Sequence, residues 1–204
     1  MSGKLIVLEG IDGSGKTTLS RGIAERLRAL GVSVVVTKEP TDGPLGRRIR
    51  EIAKHGRATV SKEEELDLFH RDREAHVREL VRPALARGAW VVQDRSFFST
   101  VAYQGERGFD RAELLAKERA IAPDPDLLFV VDIPAETAVD RISRSRAELA
   151  KDDFEQLETL QRIRRVFLDL PSALVLDATK PREEVLEQAM NVISERLSLP
   201  RTPA

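Results

Sequence analysis

The run Gly10-Ile11-Asp12-Gly13-Ser14-Gly15-Lys16-Thr17 constrains this chain more than any other feature. Its spacing, G-x-x-x-x-G-K-[ST], makes a turn whose backbone N–H groups face inward around phosphate oxygens, provided a strand precedes it and a helix follows. Both flanks qualify. Lys4–Leu8 is an apolar run of strand length, and Leu19, Ile23, Leu27 and Leu30 then recur at helical spacing. The amino end of that helix adds partial positive charge at the turn. Gly10, Ile11, Asp12, Gly13, Ser14, Gly15, Lys16, Thr17 and Thr18 are the candidate contacts to a phosphate chain. Lys16 can reach terminal phosphates, and the Thr17 hydroxyl is a candidate Mg²⁺ ligand. The bland alternative, a glycine-rich turn that matches by chance, does not account for the strand and helix on its two sides.

Four more apolar runs, Val32–Thr37, Ala89–Gln93, Leu127–Asp132 and Ala173–Leu176, alternate with helix-periodic segments. Their near-continuous Val/Ile/Leu content suits strands covered on both faces. Gly31 ends the first helix and Pro181 opens the last, whose apolar stripe is Leu186, Met190, Ile193 and Leu197. The expectation is an α/β chain of the P-loop NTPase fold: a five-stranded parallel sheet, helices on both faces, and one domain spanning 1–204. Ligands in such sheets bind beyond the carboxyl ends of the strands.

Composition narrows the partners. A net charge of −1 argues against strong unspecific binding to nucleic acid or a membrane surface, and small phosphorylated ligands need only local positive charge. The absence of cysteine excludes disulfides, a cysteine nucleophile and thiolate metal sites. No apolar stretch reaches the length of a membrane span or a secretion signal, which makes the cytoplasm the default. An N-K-x-D guanine reader is missing, which speaks against a GTPase.

Three segments bear on a second substrate. Lys38-Glu39-Pro40 follows the second strand, Asp94-Arg95 and Ser99 to Gln104 follow the third, and Leu66 to Arg73 lie on a helix between them. Phe69 and Arg73 are four apart and share a helix face. An aromatic plane to stack on and a guanidinium to bond a carbonyl edge make a pyrimidine reader; alternatively Phe69 is core and Arg73 a surface charge. Arg95 can fork onto an acceptor phosphate, with Asp94 orienting it or holding a metal's water shell, or the two form a structural ion pair.

With these motifs in place, the chain resembles the thymidylate kinases of bacteria and archaea. The marks are the EGxDGxGKTT cradle, the R/K-EP segment, LF…DR, DR…S…AYQG and PDLxxxLD, in order from residue 4 to about 177. The resemblance implies phosphoryl transfer from ATP to dTMP with Mg²⁺ held by Thr17 and Asp94, in a homodimer. It implies catalytic roles for Lys16, Arg95, Asp94 and Asp12, and acceptor contacts from Glu39, Pro40, Phe69, Arg73, Arg95, Ser99, Tyr103 and Gln104. Tyr103 would lie against the deoxyribose. The cradle's variable positions hold no arginine, so a lid at about 141–153 is expected to supply one, Arg144 or Arg146; an arginine-rich helix end is otherwise a solvated one.

Three departures stand out. Asp152-Asp153-Phe154-Glu155 replaces the usual D-R-F-E, and Ser96 and Arg71 replace a ring-bearing and a small residue, changes that could tune acceptor choice. The rival readings are a kinase of another monophosphate (dUMP, UMP/CMP) and a catalytically silent nucleotide-binding regulator.

Overall fold

Alternation within each central strand divides the core in two. In β1 (Leu5–Glu9), Ile6 and Leu8 enter one buried cluster, while Leu5 and Val7 enter another. In β3 (Trp90–Asp94) and β4 (Leu127–Asp132), Trp90, Val92, Leu127, Phe129 and Val131 join the first cluster and Val91 and Leu128 the second, with Val130 the exception that joins the first as well. Because both faces are covered, no polar alternation remains, which is why these strands read as continuous apolar runs. The computed structural model describes residues 3–57, 60–145, 156–197 and 199.

The sheet is parallel throughout, in the order β2-β3-β1-β4-β5, with β2 at Val34–Lys38 and β5 at Leu174–Asp177 on its edges. The chain winds out to β2, returns to β3, then crosses β1 to β4 and β5. The carboxyl ends of β1, β3 and β4 consequently flank one crevice, where open α/β sheets bind ligands. Four strands end one residue later than their apolar runs, on Glu9, Lys38, Asp94 and Asp177, and β2 also begins two residues later, at Val34. Hydrophobicity marks burial, whereas ladder membership follows backbone pairing. The registers Leu8↔Asp94, Lys38↔Asp94 and Asp132↔Asp177 carry polar residues to the sheet's rim.

Helix α1 (Lys16–Ala29) buries Leu19, Ile23 and Leu27, and Gly31 turns the chain beyond it at φ 79°. Helices α2 (Pro44–His55) and α3 (Lys62–His76) follow β2. A π-helical turn, Val77–Val81, joins α3 to α4 (Arg82–Ala86). Pro83 has no N–H to donate to the carbonyl one turn back, and the helix widens just before it. After β3 come α5 (Phe97–Glu106) and α6 (Arg111–Ile121); after β4 come α7 (Ala135–Ser145) and α8 (Leu157–Leu168); α9 (Arg182–Arg196) follows β5. Pro181 is the cap residue of α9, as expected. No helix among the described residues is long and apolar enough to cross a membrane.

Candidate active site

The cradle leaves β1 through Gly10 at φ 139°, where a Cβ would approach the Val131 carbonyl oxygen to 2.5 Å. Only glycine fits that bend and that proximity. The Ile11 side chain is core, so this residue offers the site its backbone alone: its carbonyl accepts a 2.9 Å hydrogen bond from Lys16 Nζ. Burial lowers the Lys16 pKa to about 8, aided by repulsion from Arg95 and opposed by Asp12, Asp94 and Glu9. Thr17 Oγ1 donates to Asp94 Oδ2, and Asp94 Oδ1 is buried without a hydrogen-bond partner among the described residues. A hydroxyl and a carboxylate with a spare lone pair thus meet where β1 and β3 end.

A cleft of about 770 Å³ opens on one side of the cradle, lined by Gly13, Ser14, Gly15 and Thr18. Its other walls are Arg141 and Arg144 of α7 and Ala178, Lys180 and Arg182 beyond β5. Arg141 spans it, donating from Nη1 to the Gly13 carbonyl (3.3 Å) and from Nη2 to that of Ala178 (3.2 Å). Arg144 borders the cleft and is exposed. Arg146, the rest of the expected lid to 153, and Asp152 to Glu155 lie outside the described residues. Lys180 and Arg182 were not anticipated, although the rule that ligands sit beyond strand ends points at them.

On the other side lies a pocket of about 180 Å³ that gathers Glu39, Pro40, Phe69, Arg73, Arg95, Ser99, Tyr103 and Gln104 with Asp12. Every expected acceptor contact therefore borders one cavity. Arg95 holds φ 67°, unusual for a non-glycine residue, and its N–H is tied to the Leu8 carbonyl (2.9 Å). Its guanidinium donates to Ser99 Oγ (2.9 Å), Asp12 Oδ1 (2.7 Å) and the Tyr103 hydroxyl (3.3 Å), so Asp94 and Arg95 do not pair with each other as a structural cap. Behind them, Glu9 accepts from Ser96 N, Ser96 Oγ, Ser99 N and Ser99 Oγ, fastening the start of α5 to the end of β1. Burial raises the Glu9 pKa, against the pull of Arg95, Ser99 and Ser96.

Arg73 is not a surface charge. It is 2% exposed; Nε donates to Glu39 Oε2 (2.8 Å), Nη1 to Glu118 Oε2 (2.6 Å) and Nη2 to Thr100 Oγ1 (3.1 Å). Phe69 is half-buried on the pocket wall and belongs to no core cluster, so the core alternative fails for it as well. Glu39, joined to Pro40 by a cis peptide, also bonds His76 Nδ1 (2.9 Å) and Gln93 Nε2 (3.2 Å). Burial opposes ionisation of Glu39, but Arg73 and His76 hold its carboxyl below the usual range.

Among the departures, Arg71 is exposed, faces Asp67 at 3.6 Å and does not line the pocket, which removes it as a tuner of acceptor choice by contact. Ser96 lines the pocket, but its hydroxyl is committed to Glu9 and to the N–H of Phe98 as the α5 cap. Glu9, Arg50, Arg57, Thr100, His76 and Glu118 were missed. The 70/73/76 spacing of His70, Arg73 and His76 on one helix face was the available signal for part of this set.

The family model described as Thymidylate kinase matches residues 8–189. A thymidylate kinase from Xanthomonas euvesicatoria pv. vesicatoria (strain 85-10) is 48% identical over 198 residues, covering 96% of this chain and 85% of that protein. One from Xanthomonas oryzae pv. oryzae (strain PXO99A) is 46% identical over 208 residues, covering 99% and 89%. A third, from Xylella fastidiosa (strain M12), is 44% identical over 197 residues, covering 96% and 88%. A match this long and this close, joined to a cradle set between a wide cleft and a pocket lined by aromatic and arginine side chains, places the chain in the thymidylate kinase family.

Proposed function

We propose that this chain transfers the γ-phosphoryl group of ATP to dTMP, giving ADP and dTDP. The observation that carries the reading is the meeting of two cavities across consecutive cradle residues: Gly13 lines the wide cleft and Asp12 the smaller pocket. Lys16 stands in the cradle between them, and Arg95 points into the acceptor side. A phosphate oxygen is already a nucleophile, so catalysis reduces to alignment and charge neutralisation. ATP occupies the cleft, with its phosphates against the cradle N–H groups. Lys16 leaves the Ile11 carbonyl for the terminal phosphates, while Arg95 aligns the dTMP phosphate. Phe69 stacks on the base, Arg73 offers donors to its carbonyl edge, and Tyr103 abuts the sugar.

Thr17 Oγ1 and the spare Asp94 oxygen fit Mg²⁺, which takes one or two protein oxygens and fills its shell with water and phosphate. Consistent with that mode, the described residues include no group of three His, Cys, Asp or Glu side chains able to cage a metal. When bound, the ion supplies charge neutralisation at the phosphates. Arg141, Arg144 and Arg146 are the candidates for the mobile cation over the transferring group. Family resemblance carries two further proposals, a homodimer and residence in the cytosol, which light scattering and cell fractionation test. The substrate assignment is tested by ADP formation with Mg²⁺, ATP and, in turn, dTMP, dUMP, dCMP, dGMP and UMP. dTMP is expected to give the highest kcat/KM, and equal rates for all five overturn the assignment.

A further inference from the structure

Glu118 has no part in the mechanism above and does not line the acceptor pocket, yet it is a fully buried carboxylate 2.6 Å from Arg73 Nη1. Among the described residues, that is its one aligned side-chain hydrogen bond: His70 Nδ1 lies 2.9 Å from Glu118 Oε1, but neither atom makes a well-directed bond. Burying a carboxylate is costly unless a specific partner repays it. Here that partner is Arg73. Burial opposes ionisation of Glu118, while His70 and Arg73 hold its carboxyl below the usual range, so it meets the guanidinium as an anion.

Arg73 already has one carboxylate, since Glu39 Oε2 lies 2.8 Å from Nε and 2.7 Å from Nη2. Both distances end on one oxygen, so Glu39 by itself leaves the rigid guanidinium plane able to pivot about that atom and does not fix where Nη1 lies. Glu118 comes from α6, Thr100 from α5 and Glu39 from the loop after β2, so three elements fix the plane from three directions. Hydrogen bonds take one N–H on each of Nε, Nη1 and Nη2, and the donors left for a ligand are on the Nη atoms. We propose that Glu118 is a positioning residue for the acceptor: by clamping Nη1 from behind, it aims the open N–H donors of Arg73 into the pocket, with His70 backing the carboxylate. This rests on the reading of that pocket as the dTMP site. A base carbonyl accepts from donors so aimed, whereas an exocyclic amine meets them as a second donor, so the clamp contributes to discrimination as well as affinity.

The test is Glu118→Gln, which keeps shape and removes charge, with His70→Asn as a milder second variant. For E118Q, KM for dTMP is expected to rise about tenfold, with KM for ATP unchanged. The ratio of kcat/KM for dTMP over dCMP is expected to narrow by a similar factor. For H70N a smaller shift in the same two quantities is expected. Thermal melting run alongside separates loss of fold from loss of aim, and if E118Q melts below the assay temperature the H70N result decides. An E118Q enzyme with both KM values unchanged, or with both raised in parallel, overturns the proposal while leaving the dTMP assignment standing. A wild-type protein that makes no ADP with dTMP sinks the assignment itself, and the proposal with it.

Discussion

At the scale of residues, the site is governed by charges held out of water. Lys16 shows the consequence most directly: burial lowers its pKa to about 8, so its ammonium is charged below that pH and loses its proton above it. The charged form is the one that binds phosphate. Affinity for a non-hydrolysable ATP analogue is therefore expected to fall as pH rises through 8, by up to about tenfold per unit. Lys16→Arg, which stays protonated, should flatten the profile whatever its absolute affinity. Calorimetric titration from neutral pH to the mid-nines checks this, and a wild-type profile as flat as the variant's refutes it. Arg95 and Arg73 stand at the other extreme. Each is ringed by acceptors, Asp12, Ser99 and Tyr103 for one and Glu39, Glu118 and Thr100 for the other, so their role is direction and not titration.

Helices and strands act here as mounts. α3 carries Phe69, His70, Arg73 and His76, and its start is fixed by a capping box: Ser61 Oγ accepts from Glu64 N at 3.1 Å while Ser61 N donates to Glu64 Oε2 at 2.9 Å. Removing it with Ser61→Ala is expected to cost about 1 kcal/mol. In a chain of this size that lowers Tm by about 2–4 °C. Because the cap is far along the helix from Arg73, acceptor KM should stay within about twofold, as additivity of distant sites implies. α7 is the mount on the donor side. Arg141 already touches the cradle at Gly13 and the β5 loop at Ala178. Arg141→Ala is expected to raise KM for ATP more than Arg144→Ala does, whereas Arg144→Ala should act chiefly on kcat if that residue reaches the transferring group. Steady-state kinetics with each substrate varied distinguishes them, and full turnover in both variants removes α7 from the mechanism.

Across the whole molecule, the acceptor pocket is backed by the core. Phe167 of α8 is fully buried, and its ring meets that of Tyr103 edge-on with centroids 6.2 Å apart. Phe167→Ala is expected to cost about 3–5 kcal/mol by leaving a cavity. It also removes the backing of Tyr103, so acceptor KM should rise in any fraction that stays folded. Phe167→Leu should recover most of the stability, and denaturant melts of the two variants measure the difference. The edges of the sheet are less committed: Val175 on β5 is 46% exposed, against complete burial of Phe129 on the neighbouring strand.

The cradle was legible in the sequence because every element it needs is local: a strand, eight residues of fixed spacing, and a helix start. Five apolar runs likewise announced five strands, and burial on both faces leaves that mark in β1, β3 and β4, whereas β2 and β5 at the edges are equally apolar but only partly covered. Phe69 and Arg73 could be paired by helical spacing, but whether they faced core, solvent or pocket could not. Tertiary structure alone decided that. The partners of Arg73 lie 27, 34 and 45 positions away, the two carbonyls bridged by Arg141 belong to loops after different strands, and the softened ammonium of Lys16 depends on what packs around it. Periodicity records which side of an element is dry. It does not record which charges from distant elements are brought together there, and in a desolvated pocket the energy of a charge is set by those neighbours.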